Sequence, residues 1–266
     1  MKINLDKYYT PTDLAEYCVN KTKEVIGVEN ITEWIEPSAG AGVFLPFLDN
    51  NYLAFDIEPE AENIERKNYL ELDLPYFKGR CVIGNPPYGT RNTMSVRFFK
   101  QSLSLGDYIA FILPISQYKN AQQMYDFDLI YTENLGITRF SNKKIHCCFN
   151  IYKRPKNINK KPTNKLKDVS FVEIRNNNKI CTDYDLRIMA WGGGFGRTRQ
   201  LGCEVRFDGE FAKELCIKTH NNKLKDEIIY VIKNADWLTL YPMTGSPNLL
   251  QWQVVKYLRE QIPQLV

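Results

Sequence analysis

The sequence predicts an α/β fold with a parallel sheet over roughly its first 150 residues, followed by a smaller α+β domain. Three observations carry this. Short apolar runs alternate with stretches of helical periodicity. Several of those runs end in an acid or in small residues, as strands do at the carboxyl edge of an open sheet. The alternation then stops at Arg154-Pro155-Lys156-Asn157-Ile158-Asn159-Lys160-Lys161-Pro162, which is polar, charged and broken by proline, and reads as a linker.

The first helix is expected over 12–26, because Thr10-Pro11-Thr12-Asp13 places proline in the first turn and an acid near the positive end of the helix. Strands are expected at 31–36, 52–56, 69–72, 81–84, 108–113, 129–132 and 146–152. Further helices fit 43–48, 94–105 and 116–125. The adjacent Cys147-Cys148 lies in an apolar run and reads as core packing. These elements make a first domain of residues 1–154, a linker of 155–167 and a second domain of 168–266. In the second domain 169–175 alternates like a strand, 191–200 is a glycine-rich loop and 248–261 is an amphipathic helix.

Composition narrows the class. At 44% apolar and 25% charged residues the chain matches a soluble globular protein and not a disordered one. No apolar run approaches about eighteen residues, and the first residues lack a signal-peptide apolar stretch, so a cytoplasmic protein with no membrane partner is expected. Seven cysteines, with no Cys-x-x-Cys pair, suit reduced thiols better than disulfides or zinc. Charge is distributed unevenly. Residues 1–138 carry 12 basic and 19 acidic side chains, residues 139–225 carry 20 and 8, and residues 226–266 carry 3 and 4. Such a basic segment predicts a polyanion footprint.

The chemistry concentrates in two places. Asn85-Pro86-Pro87-Tyr88 follows the buried-strand run Cys81-Val82-Ile83 and is flanked by Gly84 and Gly89. An amide acceptor, two prolines that fix the backbone carbonyls and an aromatic face form a rigid box for a flat ring bearing an amino group. Glu36-Pro37-Ser38-Ala39-Gly40-Ala41-Gly42-Val43-Phe44 ends the first strand in small residues, which lets a ligand approach the backbone and its free N–H groups. No Lys-Ser/Thr follows, so this is not a phosphate-gripping loop, and its acid suits a ligand with positive or hydroxyl groups. Asp56, about twenty residues on, sits where such sheets hold a ribose, and Asp73, with Leu74 beside it, is placed to read a base amino group.

The order Tyr8-Tyr9-Thr10-Pro11, then Glu36 to Phe44, then Asn85 to Tyr88 resembles the gamma group of amino-DNA methyltransferases, which methylate adenine-N6. The resemblance covers about residues 8–154. It implies a Rossmann-like methyltransferase sheet, mostly parallel with one antiparallel strand, and S-adenosylmethionine as cofactor. By the resemblance Tyr9, Thr10 and Pro11 close over the amino-acid part of the cofactor, Glu36, Ser38, Ala39, Gly40, Gly42 and Phe44 line its methionine side, and Asn85 also borders the cofactor. Asp56 would hold the ribose, Ile57 would pack on the cofactor adenine, and Asp73 and Leu74 would read its edge. Asn85 and the backbone at Pro86 and Pro87 would hold the target amino group, with Tyr88 and Phe149 stacking on the two faces of a flipped base.

In the second domain Trp191, Arg197 and Arg199 flank three glycines and are candidates for contact with double-stranded DNA. A cognate restriction endonuclease is a further expected partner; no metal is. Other acceptors fit the same box: an RNA adenine or guanine, or a protein glutamine amide. A methyltransferase-like module that binds nucleic acid without catalysis is the non-enzyme alternative.

Overall fold

The computed structural model describes residues 9–49, 51–141, 143–175, 181–191, 195–200 and 213–266. They fall into two compact units, Met1–Pro162 and Thr163–Val266. Tyr8 and Gly192 to Gly194, singled out from the sequence, lie outside the described residues, as does the side chain of Arg199.

The first unit is built on seven strands: β1 (Glu33–Glu36), β2 (Tyr52–Asp56), β3 (Glu65–Arg66), β4 (Arg80–Gly84), β5 (Tyr108–Pro114), β6 (Asp128–Phe140) and β7 (Lys143–Lys153). Their spatial order is β3-β2-β1-β4-β5-β7-β6. The pairings from β3 through β5 are parallel, and β7 is antiparallel to both its neighbours. This is the Rossmann-like sheet expected, with one antiparallel strand.

Side chains alternate across the sheet and bury both faces. Trp34, Ile83, Ala110, Ile112 and Phe149 pack on one face with Ala15, Cys18 and Val19 of α1 (Thr12–Ile26). Ile35, Val82, Ile109, Phe111 and Leu113 pack on the other with Phe98 and Phe99 of α2 (Thr93–Ser102). Cys147 and Cys148 are fully buried, one in each layer. A buried Arg80 ties the start of β4 down by an ion pair to Glu33 and bonds to the carbonyls of Pro75 (2.7 Å) and Leu105 (3.0 Å).

Three expected elements of the first unit differ, and in the second unit the loop expected at 191–200 starts on a strand residue, Trp191, and ends in a strand, Thr198–Gln200. The strand expected at 69–72 is a 3₁₀ turn, Tyr69–Glu71, because the Asn68 side chain accepts the Leu70 N–H (3.2 Å) and donates to Glu71 (2.7 Å). Tyr69 anchors that turn by stacking on Phe98 (centroids 5.2 Å apart) and sharing a hydrogen bond with Ser102 (2.8 Å). The helices expected at 43–48 and 116–125 reduce to single 3₁₀ turns, Leu45–Phe47 and Ile115–Gln117. Pro46 limits the first of these. After the second, Lys119 takes a left-handed conformation (φ 53°) that ends any helix there.

The second unit carries an antiparallel sheet of β8 (Val169–Arg175), β9 (Leu186–Trp191), β10 (Thr198–Gln200) and β11 (Lys213–Thr219), ordered β10-β9-β11-β8. Leu186, Ile188, Leu215 and Ile217 share one core with α3 (Lys225–Lys233), α4 (Trp237–Leu240) and α5 (Gln251–Gln261).

Candidate active site

In a parallel sheet the ligand crevice lies beyond the carboxyl ends of the strands. Here β1, β2 and β4 end in Glu36, Asp56 and Gly84, and a cavity of about 420 Å³ opens above them. From β1 and its loop the wall takes Glu36, Ser38, Ala39, Gly40 and Phe44. Asp56 and Ile57 follow from β2, and Asn85, Pro87 and Tyr88 from β4. Tyr9 and Thr10, in the segment leading into α1, complete it. Residues more than seventy positions apart in sequence thus meet in one pocket.

The loop between β1 and the next turn is held by Asp56. One carboxylate oxygen accepts the Gly40 N–H (2.7 Å) and the other the Glu58 N–H (2.8 Å). Backbone bonds from Ala39 to Phe55 (2.9 Å) and from Glu60 to Gly40 (3.0 Å) close the same cradle. Gly40 (φ 53°) and Gly42 (φ 76°) take left-handed conformations that allow this tight path.

The lining is rich in acceptors that nothing in the protein satisfies. Glu36 Oε2, Ser38 Oγ and Asn85 Oδ1 are buried without a hydrogen-bond partner, three of the six such atoms among the described residues. Burial first, and then the charge of Asp56, hold the Glu36 carboxyl well above the usual carboxylate range. Asn85 donates its amide N–H to Thr10 Oγ1 (3.2 Å), which leaves the carbonyl end of the amide without a protein donor. Buried acceptors cost free energy unless a partner arrives, so this wall suits ligands that bring N–H groups or positive charge. Tyr88 is 9% exposed, with its hydroxyl 3.6 Å from Cys147 Sγ.

Several expected residues stand elsewhere. Phe149 is fully buried in the core opposite Ile112 on β5, and it does not line the cavity. The reason is strand register. Cys147 is the β7 residue level with Pro114 at the carboxyl edge, and Phe149 sits two residues below it on the same face. Asp73 and Leu74 fall beyond the Tyr69–Glu71 turn and are absent from the wall, where Asn68, Tyr69 and Leu70 stand instead. Pro11, Gly42 and Pro86 shape the backbone without lining the cavity.

Sequence reasoning missed Asn68 and the α2 residues Met94, Arg97 and Phe98, all on the wall. Two signals point to them: the Asn68-Tyr69-Leu70-Glu71 cap pattern, and the i, i+3, i+4 spacing that puts the α2 residues on one face. In the second unit Trp191 closes β9 half-buried, Arg197 is exposed, and Arg199 stands on β10 opposite Arg187. Among the described residues no group of three or more His, Cys, Asp or Glu is placed to hold a metal ion, and no helix is long and apolar enough to cross a membrane.

No protein-family model matches the chain, and no curated protein matches its sequence. Solved structures do resemble it. The 23S rRNA methyltransferase ErmE aligns with 14% identity and a TM-score of 0.41, over 57% of this chain and 71% of its own. A Thermoplasma acidophilum protein, 1320, aligns with 17% identity and a TM-score of 0.42, over 55% and 98%. Magnesium protoporphyrin IX methyltransferase from Synechocystis PCC 6803, solved with bound S-adenosylmethionine, aligns with 10% identity and a TM-score of 0.38, over 58% and 88%. At these identities the likeness concerns the fold.

Proposed function

We propose that this chain is an S-adenosylmethionine-dependent DNA methyltransferase acting on the N6 amino group of adenine. The observation that carries the reading is the unpartnered buried carbonyl oxygen of Asn85, held beside Pro86-Pro87-Tyr88 in the same cavity as the acids Glu36 and Asp56. The acidic half fits the cofactor: Glu36 and Ser38 offer acceptors for an ammonium group, and Asp56 keeps lone pairs for ribose hydroxyls. Ile57, 40% exposed, and the Asn68–Leu70 turn provide an apolar ledge and an amide edge for its base. Bound there, S-adenosylmethionine supplies an electrophilic methyl group.

The residues of this chain then have a positional task. An adenine amino nitrogen is a poor nucleophile because its lone pair is delocalised into the ring. Accepting an N–H at Asn85 Oδ1 draws the nitrogen toward tetrahedral geometry and frees the lone pair for in-line attack. Alignment and preorganised acceptors supply the acceleration. Tyr88 offers a stacking face, and the base must leave the duplex to reach it. The basic segment 139–225, including Arg197 in the second unit, supplies charge for the DNA backbone.

An RNA base or a glutamine amide would meet the same Asn85 oxygen, so the test separates acceptors. Purified protein is incubated with methyl-labelled S-adenosylmethionine and, in parallel, DNA from a methylation-free host, ribosomal RNA and total protein. Label in DNA as N6-methyladenine within one short motif is expected. Label confined to RNA or protein refutes the DNA assignment, and no label together with no S-adenosylmethionine binding by folded protein supports a non-catalytic module.

A further inference from the structure

The carboxyl edge of the first sheet is divided by charge. On the β1–β2 side Asp56 ends β2 beside the buried Glu36, and the loop 57–64 adds Glu58, Glu60 and Glu62, with the basic pair Arg66 and Lys67 confined to the end of β3. On the other side the loop after β4 carries Arg91, the turn after β5 carries Lys119, and the β6–β7 hairpin carries Arg139, Lys143 and Lys144. No acid lies between 137 and 146, and Asp126, the one acid between β5 and β6, is ion-paired to Lys100.

Two features mark the basic side as built for a ligand. The hairpin projects past the sheet: β5 ends at Pro114 opposite Cys147, while β6 and β7 continue to the Phe140–Lys143 pair, four residues or about 13 Å further. Its end turns at Ser141, whose hydroxyl accepts the backbone N–H of the cavity residue Tyr9 (3.4 Å), so the basic tip stands at the cavity mouth. At that tip Arg139 lies directly across from Lys144 in the strand register. Like charges directly opposite destabilise a strand pair. Arg91, Asn92, Lys119 and Ser141 also account for four of the five non-glycine residues with left-handed backbone among those described. Unfavourable choices gathered at one edge point to a function there.

We propose that the β4, β5 and β6–β7 loops of the first unit grip the phosphodiester backbone of duplex DNA. The acidic half of the same edge is left for the cationic methyl donor. This deepens the methyltransferase reading and rests on it for the identity of the polyanion. It also places part of the basic surplus on the catalytic unit: of the 20 basic residues in 139–225, eight belong to residues 139–162.

Arg139→Glu tests it, because that change turns a like-charge pair into an opposite-charge pair at an exposed site. The full chain is titrated against a fluorescent 30-base-pair duplex and a 30-nucleotide RNA between 50 and 200 mM KCl. S-adenosylmethionine affinity and Tm are measured alongside. The variant is expected to bind the duplex about tenfold more weakly, with the slope of log K against log salt shallower by about 0.9, the loss of one phosphate contact. Cofactor affinity stays the same and Tm does not fall. Duplex binding and slope equal to wild type overturn the proposal, as does a wild-type preference for the RNA. A lowered Tm overturns the like-charge argument. Weakened duplex binding in the variant, beside wild-type protein that transfers no methyl group, sustains the grip while the methyltransferase reading fails.

Discussion

Asp56→Ala probes the cradle that joins β1 to β2, and the structure gives its size. The carboxylate accepts two backbone N–H groups, Gly40 at 2.7 Å and Glu58 at 2.8 Å. Hydrogen bonds to a charged group contribute about 1.5–3 kcal/mol each. Asp56 is half-buried, and water can recover part of the loss, so the substitution is expected to cost about 2–4 kcal/mol. In a unit of this size about 1 kcal/mol moves Tm by about 2–4 °C, which places the expected drop at about 5–15 °C. S-adenosylmethionine affinity should fall by more than about tenfold, because the loss combines a ligand contact with a loosened Ser38–Gly40 wall. Calorimetric melting and cofactor titration of the same preparation read both effects. An unchanged Tm would mean that the two bonds do not hold the loop. A lowered Tm with unchanged cofactor affinity would remove the loop from the cofactor site.

Further tests address the rest of the cavity. Asn85→Ala should abolish methyl transfer while cofactor affinity stays within a few-fold, measured by label incorporation and titration; a normal rate refutes the role of the amide. Thr10→Val should leave the Asn85 amide without the hydroxyl that orients it, lowering kcat about tenfold with little change in acceptor KM, and Thr10→Ser should restore it. Glu36→Gln tests the buried acid. Its carboxyl is raised above the ordinary 4.5 by burial and then by Asp56, so the stability it gives is full below that pH and is lost as pH rises through the raised value. Without ligand, the Tm of wild type relative to Glu36→Gln should therefore decline as pH rises above the ordinary carboxylate range, and parallel profiles would contradict the shift.

Much of the fold is legible in the sequence because local rules and tertiary packing agree there. The helix at Thr12–Ile26 and the strand at Tyr52–Asp56 occupy the expected residues, since a proline start and a short apolar run each have one compatible structure. The 69–72 stretch reads as a strand by composition, yet an Asn68 cap and a buried Tyr69 make it a turn. That single difference removes Asp73 and Leu74 from the wall and puts Asn68 there.

By itself, then, the sequence determined the chemistry available: Glu36, Asp56 and Asn85 at strand ends, a proline-stiffened box and a basic second half. These are local facts, encoded in residue type and spacing. Only the tertiary structure decided register and neighbourhood. It set Phe149 two residues below the edge, placed Thr10 on the Asn85 amide, and brought α2 to the cavity wall. It also carried the basic hairpin past β5 and paired Arg139 with Lys144. Strand pairing and packing between distant segments fix such relations, and no local pattern encodes them.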